Sequence, residues 1–367
     1  MRGWVSRKKS SLRYNSDNRT ALRGGTSRPS RQVIRTIDAH AAGGSVRLIV
    51  DGFPSPPGRT MLEKRDWLVS HTDHWRRALM LEPRGYTDLC GALFTEPVSP
   101  GSHAGLLFMN SHGYATMSGH TVIAALTIAL ERGLIMPGGD GREVNVDTPA
   151  GTIRARATIV SEEGREGRGR VGRLAFVNVP SFVVHAGLPV SVGQKSIRAD
   201  VAFGGAFYAV VDSEMMGLPI DGLHLPQLRR AGVEIARAIE TAHHVSHPLE
   251  PMLRGIEGTI FTAPPHDEQS ALRNVTISAS AQADRSPGGT STAAVMAIVD
   301  AMGLMTADTS FTHEGIIGTR FTGRIVGRTT VGDYSAIVPE IEGSAWITGE
   351  HAFFMDESDP LKEGFRL

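Results

Sequence analysis

The chain has 367 residues, 38 basic side chains against 38 acidic ones, and 41% hydrophobic content. That suffices for two packed cores and leaves no charge surplus to draw nucleic acid. One cysteine, Cys90, excludes an internal disulfide and any multi-cysteine metal site and fits a reducing cytoplasm, while the 14 histidines are scattered without ligand spacing, so no metal is expected.

Residues 1–32 carry nine Lys or Arg and a single Asp among many serines, a composition that does not bury a core. A transit peptide has this composition; an unstructured extension or an upstream start is the preferred reading, and no apolar segment of a secretory signal is present. Folded sequence starts at Val33. Val33, Ile34 and Ile37 read as a strand, Asp38 to Gly44 as a loop, and Val46 to Val50 as a second strand. Leu62, Leu68, Trp75 and Leu79 predict one amphipathic helix over 61–81, ended by Pro83, with His71, Asp73, His74, Arg76 and Arg77 as its solvated face. Cys90 has no adjacent helix start or basic cluster and reads as a small buried residue.

A polar, glycine-containing turn at Met117-Ser118-Gly119-His120 then leads into an apolar helix. Val122, Ile123, Leu126 and Leu130 recur at helical spacing, and Ser118 suits its N-cap. The run is apolar nearly all round, so a buried helix is expected; it is too short and interrupted to span a membrane. A buried helix start with free N–H groups attracts a carboxylate, whereas a capped core helix with nothing bound is the plain alternative. Strands follow over 144–146, 152–160 and 174–179, with a charged hairpin loop at 161–172, and 180–192 crosses into the second half.

The second half predicts strands over 199–212, a helix over 226–242, and strands at 258–263 and 275–278. Then Asp284-Arg285-Ser286-Pro287-Gly288-Gly289-Thr290 opens a second apolar helix, and short strands run on to Phe354. The two helices are alike: each follows a glycine turn, each is rich in small residues, and they end at Gly133-Leu134 and Gly303-Leu304. This weak internal repeat predicts a mixed α+β protein with a first domain over 33–193 and a second over 194–360, the last strands returning to the first. Two such helix starts facing one cleft would make a two-sided carboxylate clamp.

Six motifs carry a resemblance: MSGH at 117–120, TPAG at 148–151, NVPSF at 178–182, GGAFYA at 204–209, GTIFTAPPHD at 258–267 and DRSPGGT at 284–290. With them the chain resembles the proline racemase family from about Val33 to Phe354. LEKR at 62–65 and the stretch from His74 to Leu93 resemble its trans-3-hydroxy-L-proline dehydratase branch. The resemblance implies a fold like diaminopimelate epimerase: two pseudo-symmetric domains, each a curled mixed sheet around a central helix, with the site between them. It implies no cofactor and a small imino acid as substrate; a homodimer stays open. Gly119, His120, Gly289 and Thr290 would hold the substrate carboxylate, and Asp284 would pair with the ring nitrogen, an Asx-type turn being the alternative for Asp284. Family racemases carry cysteine at the positions of Ser118 and Gly288, and the dehydratase branch usually has cysteine and then threonine. This chain departs from both patterns, and again at Ser45 and at Ser111-His112.

Removing an α-proton needs a base on one face and stabilisation of the carbanion-like state; racemisation needs a second group opposite. Gly288 has no side chain, so the second catalytic position is lost and a two-base racemase or 4-hydroxyproline epimerase is disfavoured. Dehydration of trans-3-hydroxy-L-proline to Δ1-pyrroline-2-carboxylate needs one base, for which Ser118 is the candidate. A serine hydroxyl is a weak base and needs a partner, for which His112 is the candidate. A silent imino-acid-binding homologue is the third reading.

Overall fold

The computed structural model describes residues 32–137, 143–160, 169–193, 195–306 and 309–366. The expected extension, apart from Gln32, and positions 161–168 of the expected hairpin loop lie outside the described residues. The first half runs β1 (Gln32–Ala41), β2 (Gly44–Asp51), α1 (Met61–His71), α2 (Asp73–Met80), β3 (Cys90–Thr95), β4 (Ala104–Asn110), β5 (Tyr114–Ala115), α3 (Gly119–Arg132), β6 (Glu143–Thr148), β7 (Gly151–Val160) and β8 (Arg170–Val177). The second half runs β9 (Ser181–Val192), β10 (Lys195–Phe203), β11 (Phe207–Asp212), α4 (Ser213–Met216), α5 (Leu225–Ala242), β12 (Ile256–Ala263), β13 (Leu272–Ser278), β14 (Ala283–Asp284), α6 (Gly289–Ala301), β15 (Phe311–Glu314), β16 (Arg320–Val331), β17 (Tyr334–Gly343) and β18 (Ala345–Met355).

The halves repeat one series of pairings. β1–β2 is antiparallel, β2–β3 parallel, β3–β4 antiparallel, β4–β6 parallel, and β6–β7 and β7–β8 antiparallel. The second half gives the same order with β10–β11, β11–β12, β12–β13, β13–β15, β15–β16 and β16–β17. The final strand of each series crosses over: β9 pairs with β10, and β18 pairs with β1. The strands therefore form one hydrogen-bonded sheet. It curls around α3, which packs on β1, β2 and β8, and around α6, which packs on β9, β10 and β17.

Both central helices are buried along most of their length. Val122, Ile123, Leu126 and Ile128 of α3 and Ala293, Ala294 and Met296 of α6 are wholly inaccessible. Each large apolar side chain so buried contributes roughly 1.5–3 kcal/mol of transfer free energy. A second apolar cluster, with Ile34, Leu68, Leu79, Met80 and Leu107, lies under α1 and α2.

Three local expectations are corrected. The loop predicted over 38–44 is strand as far as Ala41; only Ala42 (φ 48°) and Gly43 (φ 90°) turn, as a two-residue hairpin with both positions left-handed requires. The run of small residues conceals a strand whose partners lie on both sides. The single helix over 61–81 is two, broken at Thr72, whose hydroxyl donates back to the Leu68 carbonyl at 3.1 Å. Arg76, assigned to the solvated face, is buried: it pairs with Asp73 and donates to the Asn110 carbonyl at 2.7 Å, fastening α2 to the end of β4.

Candidate functional site

The starts of α3 and α6 meet backbone to backbone. A Cβ on Gly289 would lie 2.8 Å from Gly119 Cα, so only glycine allows this approach. Neither helix is capped by a side chain. The Ser118 hydroxyl pairs with Thr121 Oγ1 at 2.7 Å rather than with a first-turn N–H, and Gly288 sits at φ 71° with no side chain to offer. Two sets of helix-start N–H groups thus converge with positive dipole ends, an arrangement that suits one carboxylate. Gly204 lets the β10–β11 turn press on the first turn of α6, and Asn178 holds that turn by donating to the Gly204 carbonyl at 2.8 Å.

A cavity of about 90 Å³ opens at this junction. It is lined from both halves. Ser118, Gly119, His120, Asp284 and Thr290 line it, whereas Gly288 and Gly289 do not. The expected assistant His112 does not: it is exposed and bonded to Ser111 Oγ at 3.1 Å. Among the described residues no basic group bonds the Ser118 hydroxyl.

The strongest electrostatic feature crosses between the halves. His120 Nδ1 lies 3.0 Å from Asp284 Oδ2, with both side chains largely buried. The other Asp284 oxygen accepts from Ser286 N at 2.9 Å and Ser286 Oγ at 2.8 Å. Burial alone would push the imidazole down, but the Asp284 carboxylate and then the Cys90 thiol outweigh it and hold His120 well above its ordinary value. Burial would raise Asp284, yet His120 and the Ser286 hydrogen bonds hold it low. The pair is therefore an imidazolium and a carboxylate. Gly44 makes room for the ring, since a Cβ there would lie 2.9 Å from His120 Cδ2.

Two lining residues were missed from sequence. Cys90, read as an inert buried residue, is half-buried and faces the cavity beside His120. Its first-half strand pairs, with Val46 and Asn110, carry it there; nothing within ten residues of Cys90 indicates it. Glu257, in β12, also lines the cavity and makes no side-chain hydrogen bond to any described residue; burial pushes its carboxyl up to about 7. An acid between Ile256 and Gly258 in an otherwise apolar strand was its one sequence signal. Close by, the Tyr208 hydroxyl pairs with Thr290 Oγ1 at 2.8 Å. Among the described residues no group of three or more His, Cys, Asp or Glu is placed to hold a metal, and no helix is long and apolar enough to cross a membrane.

The proline racemase family model matches residues 36–366. A trans-3-hydroxy-L-proline dehydratase from Bacillus cereus is 41% identical over 336 residues, 92% of this chain and 98% of the relative. A proline racemase from Clostridioides difficile is 37% identical over 91% of this chain and 98% of its own length. The crystal structure of a hydroxyproline epimerase from Agrobacterium vitis, with bound trans-4-hydroxy-L-proline, superposes with a TM-score of 0.83 at 30% identity, covering 92% of this chain and 96% of the other.

Proposed function

We infer, because this chain belongs to the proline racemase family, that its cavity takes a cyclic imino acid and abstracts the α-proton, with trans-3-hydroxy-L-proline dehydrated to Δ1-pyrroline-2-carboxylate as the reaction it suits best. The observation that carries this reading is the contact between Gly119 and Gly289, which aims two uncapped helix starts at one point. A carboxylate held there accepts backbone hydrogen bonds that strengthen as negative charge spreads into it when the α-proton leaves. The His120–Asp284 pair lines the same cavity, and in this reading it faces the ring. Gly288 offers no group for the second face, which favours elimination over inversion at the α-carbon.

The test is incubation in heavy water with trans-3-hydroxy-L-proline, proline and both 4-hydroxyproline epimers, followed by NMR and product analysis. Pyrroline-2-carboxylate from the 3-hydroxy substrate alone is the expected result. Inversion of proline or 4-hydroxyproline would transfer the assignment to the isomerases. Binding of the planar mimic pyrrole-2-carboxylate at one site per chain, with no turnover of any substrate, would make the protein a binder on an enzyme frame.

A further inference from the structure

Neither helix start supplies a credible base. Position 288 has no side chain, and the Ser118 hydroxyl is committed to Thr121. Ionisable groups from both halves nevertheless meet in the cavity. His120 is more than nine-tenths buried, its Nδ1 is taken by Asp284, and its Nε2 has no hydrogen-bond partner. The thiol of Cys90, the sole cysteine of the chain, lies beside that ring and shares the cavity with it. The order carboxylate, imidazole, thiol is the order in which an orienting acid, a base and an activated thiol are arranged in thiol-dependent active sites on unrelated folds. The ring packs against Gly44 on one side and bonds Asp284 through Nδ1.

We propose that Cys90 and His120, oriented by Asp284, form the acid–base couple of this cavity and supply the base that the two helix starts lack. The proposal rests on the imino-acid reading above. A thiol beside an imidazolium is a far better base near neutral pH than a serine hydroxyl. The thiolate sulfur takes the α-proton, forming S–H, and the C–H electron pair stays on the α-carbon and spreads into the clamped carboxylate. That pair then forms the ring C=C bond as the C3–O bond breaks. The hydroxyl leaves as water with a proton from His120 Nε2. Transfer of the thiol proton to His120 restores both groups, and the enamine tautomerises to the imine, so no redox partner is needed. Asp284 touches neither transferred proton and is a positioning residue.

With one thiol in the chain, labelling by iodoacetamide reports Cys90 without ambiguity. At pH 7 we expect labelling to be slowed on the order of tenfold by His120→Asn and blocked by saturating pyrrole-2-carboxylate. We expect α-proton exchange on trans-3-hydroxy-L-proline to fall on the order of 100-fold or more in Cys90→Ala. It should fall less in the near-isosteric Cys90→Ser, with the pyrrole-2-carboxylate Kd within a few-fold of wild type in both. Labelling that is indifferent to His120→Asn and to the ligand would overturn the pair, as would exchange that survives Cys90→Ala. A wild-type protein that exchanges no imino-acid proton but whose labelling depends on His120 and is blocked by the ligand would instead overturn the reaction and leave the pair standing.

Discussion

The two helix starts follow the same order of strand pairings and carry different side chains. Around α3, His120 carries an imidazolium, Asp284 reaches across to it, and Cys90 stands beside it. Around α6, the residues after Asp284 and Arg285 offer backbone and hydroxyls: Gly288 and Gly289 open the helix, Thr292 donates back to the Gly288 carbonyl, and Thr276 donates to Ser291. The buried His313 behind them is kept neutral, since burial pushes it down to about 3. The fold thus repeats a helix start with free N–H groups, while His120 and Asp284, one from each half, form the charged pair between them. A duplicated fold repeats backbone geometry, whereas the side chains mounted on it can differ from one half to the other.

The largest break in this asymmetry is Asp284→Asn. It removes the charge that holds the imidazolium, and α-proton exchange should fall on the order of 1,000-fold or more, comparable to loss of the orienting acid in other imidazole-dependent sites. The pH dependence has a defined sign. His120 is raised above its ordinary 6.5, so its share of stability is full below that value and is lost as the pH climbs through the raised one. Asp284 is lowered from 3.8, so its share is present above that value and lost as the pH falls through the depressed one. Thermal melts should therefore show the wild-type advantage over Asp284→Asn greatest between the two ordinary values and shrinking at both ends.

Next in size is Gly119→Ala, which attacks what the two halves share. The new methyl group meets the Gly289 backbone, so the helix starts must part, at a cost of roughly 1–3 kcal/mol of stability. Pyrrole-2-carboxylate should bind at least about tenfold more weakly by calorimetry. Unchanged affinity would show that the carboxylate is held elsewhere.

Gly288→Cys would make the walls more alike. Its φ of 71° and the nearby Ser291 Oγ, 2.6 Å from the new Cβ, predict a loss of about 1–2 kcal/mol. If that thiol reaches the second face, slow inversion of 4-hydroxyproline at the α-carbon should appear, measurable by chiral chromatography.

The smallest effect is expected at Glu257. Its folded value near 7 lies above the ordinary 4.5, so folding favours the uncharged form; that contribution is full below about 4.5 and is lost as the pH rises through 7. Glu257→Gln should therefore raise Tm by about a few degrees relative to wild type at pH 8, and by less at pH 5. An equal shift at both would show that the carboxylate is not desolvated.

The elements legible in the sequence were those with local signals. The start of α3 follows from Ser118 and the apolar period after it, and the helix expected over 226–242 is α5. The motifs at 117–120 and 284–290 pointed to both helix starts, and the family match bears out the kinship drawn from them. What stayed hidden depends on partners distant in sequence. Asp284 meets His120 across 164 positions, and no periodicity encodes that. Ser118 has the identity of a capping residue, but Thr121 one turn on competes for its hydroxyl. Arg76 reads as solvent-facing until the Asn110 carbonyl arrives from β4. The surroundings of Cys90 come from its cross-strand partners Val46 and Asn110 and from α3, not from its neighbours in the chain.

The pairing of β18 with β1 sets a timetable for synthesis. A chain leaving the ribosome from its N-terminus presents β1 long before residues 345–355 exist, so the outer edge of β1 waits unpaired while the entire second half is translated. An open edge of this kind invites pairing with another nascent chain. The second half faces no such wait, because its crossing strand β9 emerges just ahead of β10. Ribosome-stalled chains ending before Ala345 should accordingly be cleaved by protease in their first half, and protection there should arrive only once the last strand has cleared the exit tunnel.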